Sequence, residues 1–294
     1  MQKTQIIPTK DVVFKLLFAT NNNQDMLRDL LESILNRKIG KMNVVPEKLS
    51  LGVFIQDKEV RNDIFIDTED EIIIIEMQNE WHLGFENRAQ MYSARNIAEQ
   101  LKVKQSYVEL KKVIVITIIN FHYKKLDKVV NKAVRTIEPN RIIPIYNVDE
   151  YYIIDLALFR ERKPNLTEPL DQWLLFLEYE RKEQLNMLAE KEERIRRAME
   201  EMENLRADKE AREYINYIEG AREMRRFELG AERAYGMAKG EERGRKLGKA
   251  EGKTETIRLT IKNMLKKGMK DDLIAEVTGL TLKELEKEKA LLST

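Results

Sequence analysis

The chain contains no cysteine, which excludes disulfides and thiolate zinc sites. Histidine is almost absent. His82 and His122 are the only two, too few for a multi-histidine metal centre. No apolar run approaches the ~18 residues of a membrane span. The N-terminal stretch MQKTQIIPTKD has no apolar signal core, so the expected location is a reducing cytoplasm, with no membrane contact. An excess of one charge is missing too. Lys+Arg 52 against Asp+Glu 51 leaves a net charge of +1, so the chain as a whole does not attract nucleic acid and any basic patch must be local.

What is present divides the chain in two. Hydrophobic residues make up 43% of the 294, enough for a real core. Charged residues reach 35%, above the roughly 25% of average globular chains, and the excess lies mostly after residue 178. Before that point the pattern is mixed. PTKDVVFKLLFATNNNQDMLRDLLESIL reads as two helices around a polar break, with Asp11 and Asn23 as candidate caps. Strands are expected at 49–55, 60–67, 71–78 and 113–121, with one or two more within 142–160, and a helix at 86–101. After residue 178 the chain is helix-forming and free of Pro and Gly to Ile218. Leu185, Leu188, Ile195, Met199 and Met202 fit a heptad seam. Gly236, Gly240, Gly244, Gly248 and Gly252 then recur every fourth residue among charges. Five helical glycines cost about 5 kcal/mol against alanine, so a flexible charged spacer is expected there, with a close helix–helix contact as the other possibility. The end reads as three short helices. Gly268 and Gly279 act as stops, Thr281 and Glu284 form a capping box, and the pattern weakly suggests a helix-turn-helix.

The stretch RNDIFIDTEDEIIIIEMQ carries the chemistry. Four isoleucines run into Glu76, Met77 and Gln78, in the manner of a strand buried on both faces. Side chains alternate along a strand, so Glu76 and Gln78 share a face. A hairpin turn centred near Glu69 sets Asp63 opposite Ile75 or Glu76. Two carboxylates brought close repel each other and are costly to bury bare. A divalent cation relieves both problems. Asp63, Glu76 and the Met77 backbone carbonyl offer oxygen donors that suit Mg²⁺, or Mn²⁺. Solvated strand ends are the plain alternative. Arg88, Tyr92 and Arg95 share one face of the following helix, where Arg88 can meet a phosphate or brace the acids. Glu32, Arg61 and His82 read better as surface, pairing and loop residues. No Walker loop, GxGxxG turn or serine nucleophile elbow is present.

These residues resemble the PD-(D/E)XK nuclease core, in which an Asp and an acid-x-Lys converge on a metal. KDVVFKLLF, RNDI, IIIIEMQ, the helix with Arg88 and Tyr92, and VIVITIINF together look like the Rpn family of recombination-promoting nucleases and putative transposases, over about residues 8–160. The charged tail with glycine repeats and a terminal TGLT-x-KEL module is similar as well. The resemblance implies an α/β fold: a restriction-endonuclease-like mixed sheet flanked by helices, an extended coiled-coil-like helical arm, and a small C-terminal helical module. The matching domains would be 1–178, 179–253 and 254–294. It also implies a Mg²⁺-dependent DNA endonuclease. Asp63, Glu76 and Gln78 would be catalytic. Separately, the shared helix face makes Arg88 and Tyr92 the expected substrate-binding residues, and the arm is expected to form a homodimer or higher homo-oligomer. Gln78 departs from the superfamily pattern, because it stands where lysine is usual and brings no charge. Lys104 and Lys111 are replacement candidates by position alone. A nuclease-fold scaffold with weak or lost catalysis is the alternative function.

Overall fold

A computed structural model describes residues 5–45, 64–81, 84–101, 106–123, 126–133, 135 and 148–292. The expected strand at 49–55 lies outside them. The first helices form as the periodicity predicts: α1 (Asp11–Phe18) and α2 (Gln24–Leu35). Asn23 is the N-cap of α2 as expected, though without a side-chain cap bond, and the cap of α1 differs. Lys10 is the N-cap of α1, and Asp11 sits inside the first turn, where a carboxylate suits the helix dipole. Asn23 turns its amide away from α2 and donates from Nδ2 to the Leu17 carbonyl at 2.9 Å. Asn36, in the left-handed region at φ 52°, ends α2.

The described strands are β1 (Asn43–Val45), β2 (Ile64–Asp67), β3 (Glu71–Gln78), β4 (Lys112–Ile119), β5 (Val130–Ala133) and β6 (Asp149–Asp155). They form one mixed sheet ordered β1-β2-β3-β4-β6-β5. β1, β2 and β3 pair antiparallel, β3, β4 and β6 run parallel, and β5 returns antiparallel on the edge. Helix α3 (Phe85–Ala98) makes the crossover from β3 to β4. The run VIVITII is buried on both faces for the usual reason in parallel sheets: helices cover each side. One face carries Ile73, Ile75, Met77, Ile114, Ile116 and Ile118 into the main core. The other carries Ile72, Ile74, Val113 and Val115 against Tyr92 of α3. Three elements differ from the sequence reading. β5 and β1 are too short to leave a period. YYIIDLALF splits at Asp155 into strand and helix, because the Asp155 carboxylate caps α4 (Leu156–Glu161) by accepting from the Leu158 amide at 2.9 Å.

Helix α5 (Pro169–Glu178) closes the main core with Trp173 and Phe176, whose rings meet Phe18 edge-on at 5.8 and 6.4 Å. Trp173 Nε1 donates to Asp29 at 2.8 Å, so the buried indole keeps its hydrogen bond. The chain does not leave this core at residue 178. Helices α6 (Lys182–Ala189) and α7 (Glu193–Ala207) lay Leu185, Leu188, Ile195, Ala198 and Met202 into it. The apolar seam is real, but it meets the body of its own domain. Arg206 fixes the end of α7, donating to the Ile6 carbonyl at 2.7 Å and lying 4.6 Å above the Tyr179 ring. The first compact unit runs to Gly220 and the second from Ala221.

Helix α8 (Lys209–Lys266) begins in the first unit, capped by Asp208, and runs unbroken into the second. The glycine repeat is therefore helical and not a flexible spacer. Among the described residues, nothing beyond the helix's own neighbouring backbone lies within 4 Å of where a Cβ would stand on any of the five, so no other element of this chain packs closely on the stripe. In the second unit, α9 (Asp271–Thr278) and α10 (Leu282–Leu292) fold with the end of α8 around Ile261, Met264, Ile274 and Leu285. Gly268 and Gly279 take φ of 69° and 70° as stops, and Thr281 with Glu284 forms the expected box. Among the described residues, no helix is long and apolar enough to cross a membrane.

Candidate nuclease site

β2 and β3 pair with Ile64 opposite Ile75, one of the two registers the turn allows. Asp63, the next residue along, lies outside the described residues, as do Arg61, His82 and Lys104. β3 brings Glu76 and Gln78 to its carboxyl end on the α3 face of the sheet, continuing the row of Ile72 and Ile74. Both are nearly inaccessible, Glu76 at 2% and Gln78 at 6% exposure. Across the parallel register stand Thr117 and Ile119. Met77 sends its side chain to the opposite face, into the main core. Its carbonyl faces the β2 side. Strand carbonyls alternate, and that of Gln78 already faces β4, accepting from the Asn120 amide at 2.8 Å.

Arg88 projects from the first turns of α3 and places Nη2 3.2 Å from Glu76 Oε2. Its guanidinium lies 5.7 Å from the centre of the Tyr92 ring. Tyr92 is itself a core residue, at 4% exposure, and supports Arg88 from below. A buried carboxylate is thus matched by a cation that still reaches solvent, the Arg88 side chain being 37% exposed. Arg95, on the same helix, is held by Glu99 at 2.8 Å. The start of α3 is walled by aromatic contacts of Phe85 with Phe121 and Tyr123, at 5.7 and 5.1 Å.

Other candidates fall elsewhere. Lys111 lies at the turn end of β3, bonded to Asp67 at 2.7 Å and to the Thr68 carbonyl at 2.5 Å, so it does not stand in for a lysine beside Gln78. Four residue steps carry the strand from Ile72 to Glu76, roughly 13 Å. A cavity of about 380 Å³ opens at that same turn end, lined by Val45, Phe65, Ile72, Asn96, Gln100 and Lys111. It is the wrong end of the sheet for the Glu76 chemistry. Glu32 is spent on the Ile39 amide at 3.0 Å and on Lys38 at 2.7 Å.

The donors at the carboxyl end of β3 are a carboxylate, an amide oxygen and a backbone carbonyl. This all-oxygen set fits a hard divalent cation and would not select a soft one. Among the described residues, no three acidic or histidine side chains cluster tightly enough to hold an ion, so the site requires a further donor such as Asp63. Sequence reasoning missed the polar layer behind this edge: Asn79, Asn120, Asp155 and Arg160. Asn79 and Asn120 directly follow the two central strands, and that position is the one signal that would have marked them.

The family model of the PD-(D/E)XK nuclease family transposases matches residues 8–223, and the chain belongs to that family. The match takes in all six described strands and both helices α6 and α7. No curated protein and no solved structure matches the chain.

Proposed function

We propose that the protein is a divalent-cation-dependent DNA endonuclease that hydrolyses phosphodiester bonds, acting in recombination or transposition. The observation that supports it most is the buried pair Glu76 and Gln78 at the carboxyl end of a central strand, faced by Arg88, in a chain of a nuclease family. Asp63, Glu76 and the Met77 carbonyl would hold Mg²⁺, with Mn²⁺ able to replace it. When bound, such a cation supplies a water of lowered pKa and neutralises phosphate charge. Gln78 orients the attacking water or a phosphate oxygen through its amide. Arg88 moves from Glu76 to the phosphate, carrying the positive charge that Gln78 lacks. The arm joins two copies, so that two sites can address two strands, and the protein works in the cytoplasm.

Gln78 also favours a second reading, a nuclease-fold protein with lost catalysis that binds DNA or assembles as a scaffold. Cleavage of supercoiled plasmid with Mg²⁺ or Mn²⁺ separates the two. The nuclease reading expects nicking or linearisation by the parent. Asp63→Ala and Glu76→Ala should each be at least ~100-fold slower, since a metal ligand contributes several kcal/mol to the transition state. Equal behaviour of all three proteins would establish the scaffold.

A further inference from the structure

A continuous chain of hydrogen bonds runs behind the candidate site. Asn79 follows Gln78, and its Nδ2 donates to the carbonyl of the buried Thr9 at 2.6 Å. Asn79 Oδ1 accepts from Asn120 Nδ2 at 3.2 Å. Asn120 Oδ1 accepts from Arg160 of α4. The chain of hydrogen bonds ends at Arg160, whose guanidinium also forms an ion pair with Glu180, 3.2 Å from Nε but without hydrogen-bond geometry. The Arg160 carbonyl is held by Arg181 at 2.7 Å, which pins the end of α4. The backbone of Asn120 meanwhile donates to the Gln78 carbonyl at 2.8 Å.

The polarity of this chain is forced. A guanidinium only donates and a backbone carbonyl only accepts. Asn120 must therefore turn its oxygen to Arg160 and its NH₂ to Asn79. Asn79 must then turn its oxygen to Asn120 and its NH₂ to Thr9. Each amide is used at both ends, so neither can flip without losing two bonds. The Asn120 backbone amide, just past β4, holds the Gln78–Asn79 peptide at its carbonyl, and the Asn120 side chain holds the Asn79 side chain.

We infer that Asn120 is a positioning residue for the phosphodiester chemistry proposed above, with Asn79 and Arg160 as its supports. The inference rests on that reading. Strand ends fray unless they are tied. Gln78 is the last residue of β3, and its side chain must keep its place relative to Glu76 for a water or phosphate to sit between them. A misplacement of about 1 Å at a reacting centre costs on the order of 100-fold. Asn120 touches no substrate in this scheme. It acts by fixing the direction of the Gln78 peptide, and so of the Gln78 amide.

The test is the kinetics of duplex cleavage in Mg²⁺ by the full chain, comparing the parent with Asn120→Asp, Arg160→Met and Arg160→Lys. Asn120→Asp keeps the acceptor for Arg160 but sets an oxygen against Asn79 Oδ1. The expected result is a 10- to 100-fold fall in kcat, on the order set by misalignment, with KM for DNA unchanged. The Mn²⁺-induced shift in Tm should persist in Asn120→Asp and disappear in Glu76→Ala. Arg160→Met should lose kcat in the same way, and Arg160→Lys, which keeps a donor, should recover most of it. Should Asn120→Asp not fold, the Arg160 pair decides alone. Parental kcat in Asn120→Asp, or equal loss in Arg160→Met and Arg160→Lys, overturns the inference while the nuclease reading stands. A parent that does not cleave under conditions where it is folded overturns both.

Discussion

The carboxyl end of β3 and the glycine-rich part of α8 both set a glutamate beside a cation. Glu76 faces Arg88 at 3.2 Å, and Glu242 faces Lys246 at 2.7 Å. The shorter pair is the weaker one. The Glu242 and Lys246 side chains are 56% and 75% exposed, so water replaces either partner at little cost. The Glu76 side chain is 3% exposed, so water cannot readily replace a lost Arg88 there. Burial, and not separation, decides what an ion pair does. A buried carboxylate that needs a cation is also what a metal site or a phosphate-handling site requires.

The largest effect on stability should follow from removing Arg88. Arg88→Met keeps the stem over Tyr92 and deletes the charge. About 2 kcal/mol of stability should be lost, below the 3–5 typical of fully buried pairs because the guanidinium reaches solvent. Lys246→Met should cost at most ~0.5 kcal/mol. Urea unfolding of both variants measures the contrast. Glu76→Gln in the Arg88→Met background should return part of the loss, since it removes the buried charge. Equal midpoints for the two single variants would break the comparison.

Glu178 sharpens the same contrast through pH. Burial pushes its carboxyl up, against the pull of Arg181 at 3.0 Å and of Arg160. The folded state therefore holds this proton more tightly than the unfolded chain does. The resulting stability is complete below the ordinary value of 4.5 and is lost as pH rises through the folded value. Glu178→Gln should remove that dependence. Its Tm relative to the parent should climb as pH is raised from about 4 to about 7. Glu193 is exposed and its carboxyl is lowered by Arg196, so Glu193→Gln should show no such climb. Parallel Tm curves for Glu178→Gln and the parent would show that burial does not govern Glu178.

The fold was largely readable because its central strands are unusual. EIIIIEMQ and KVIVITII have no polar face, and only a sheet covered on both sides accommodates them. Glu76, Gln78 and Arg88 were readable for the same reason, as polar residues at the end of an apolar run and on the helix that follows. The Asn79–Asn120–Arg160 layer was not, since it joins the residues after β3 and β4 to helix α4, which only the sheet order brings together. The helices after residue 178 misled because two of them share one texture. α7 and the glycine-rich part of α8 are equally charged, and a seam such as Leu185, Leu188, Ile195 and Met202 states that a partner exists without stating which. The partner proved to be the domain itself.

The glycines of α8 give the smallest effect and the opposite sign. Each pays the backbone entropy of a residue without a Cβ, roughly 1 kcal/mol relative to alanine in a solvated helix. Nothing among the described residues within this chain repays it, since the space a Cβ would take at Gly236, Gly240, Gly244, Gly248 and Gly252 is open. Gly244→Ala should therefore strengthen the helix by about 0.5–1 kcal/mol, and further substitutions along the stripe should strengthen it further. Melting followed by circular dichroism at 222 nm, on the full chain, should show the helical signal persisting to higher temperature. If alanine instead lowers the melting temperature, and the loss grows with protein concentration, the stripe is a close contact between copies. The arm would then resemble the end of β3 after all, a surface whose composition is set by what it must meet.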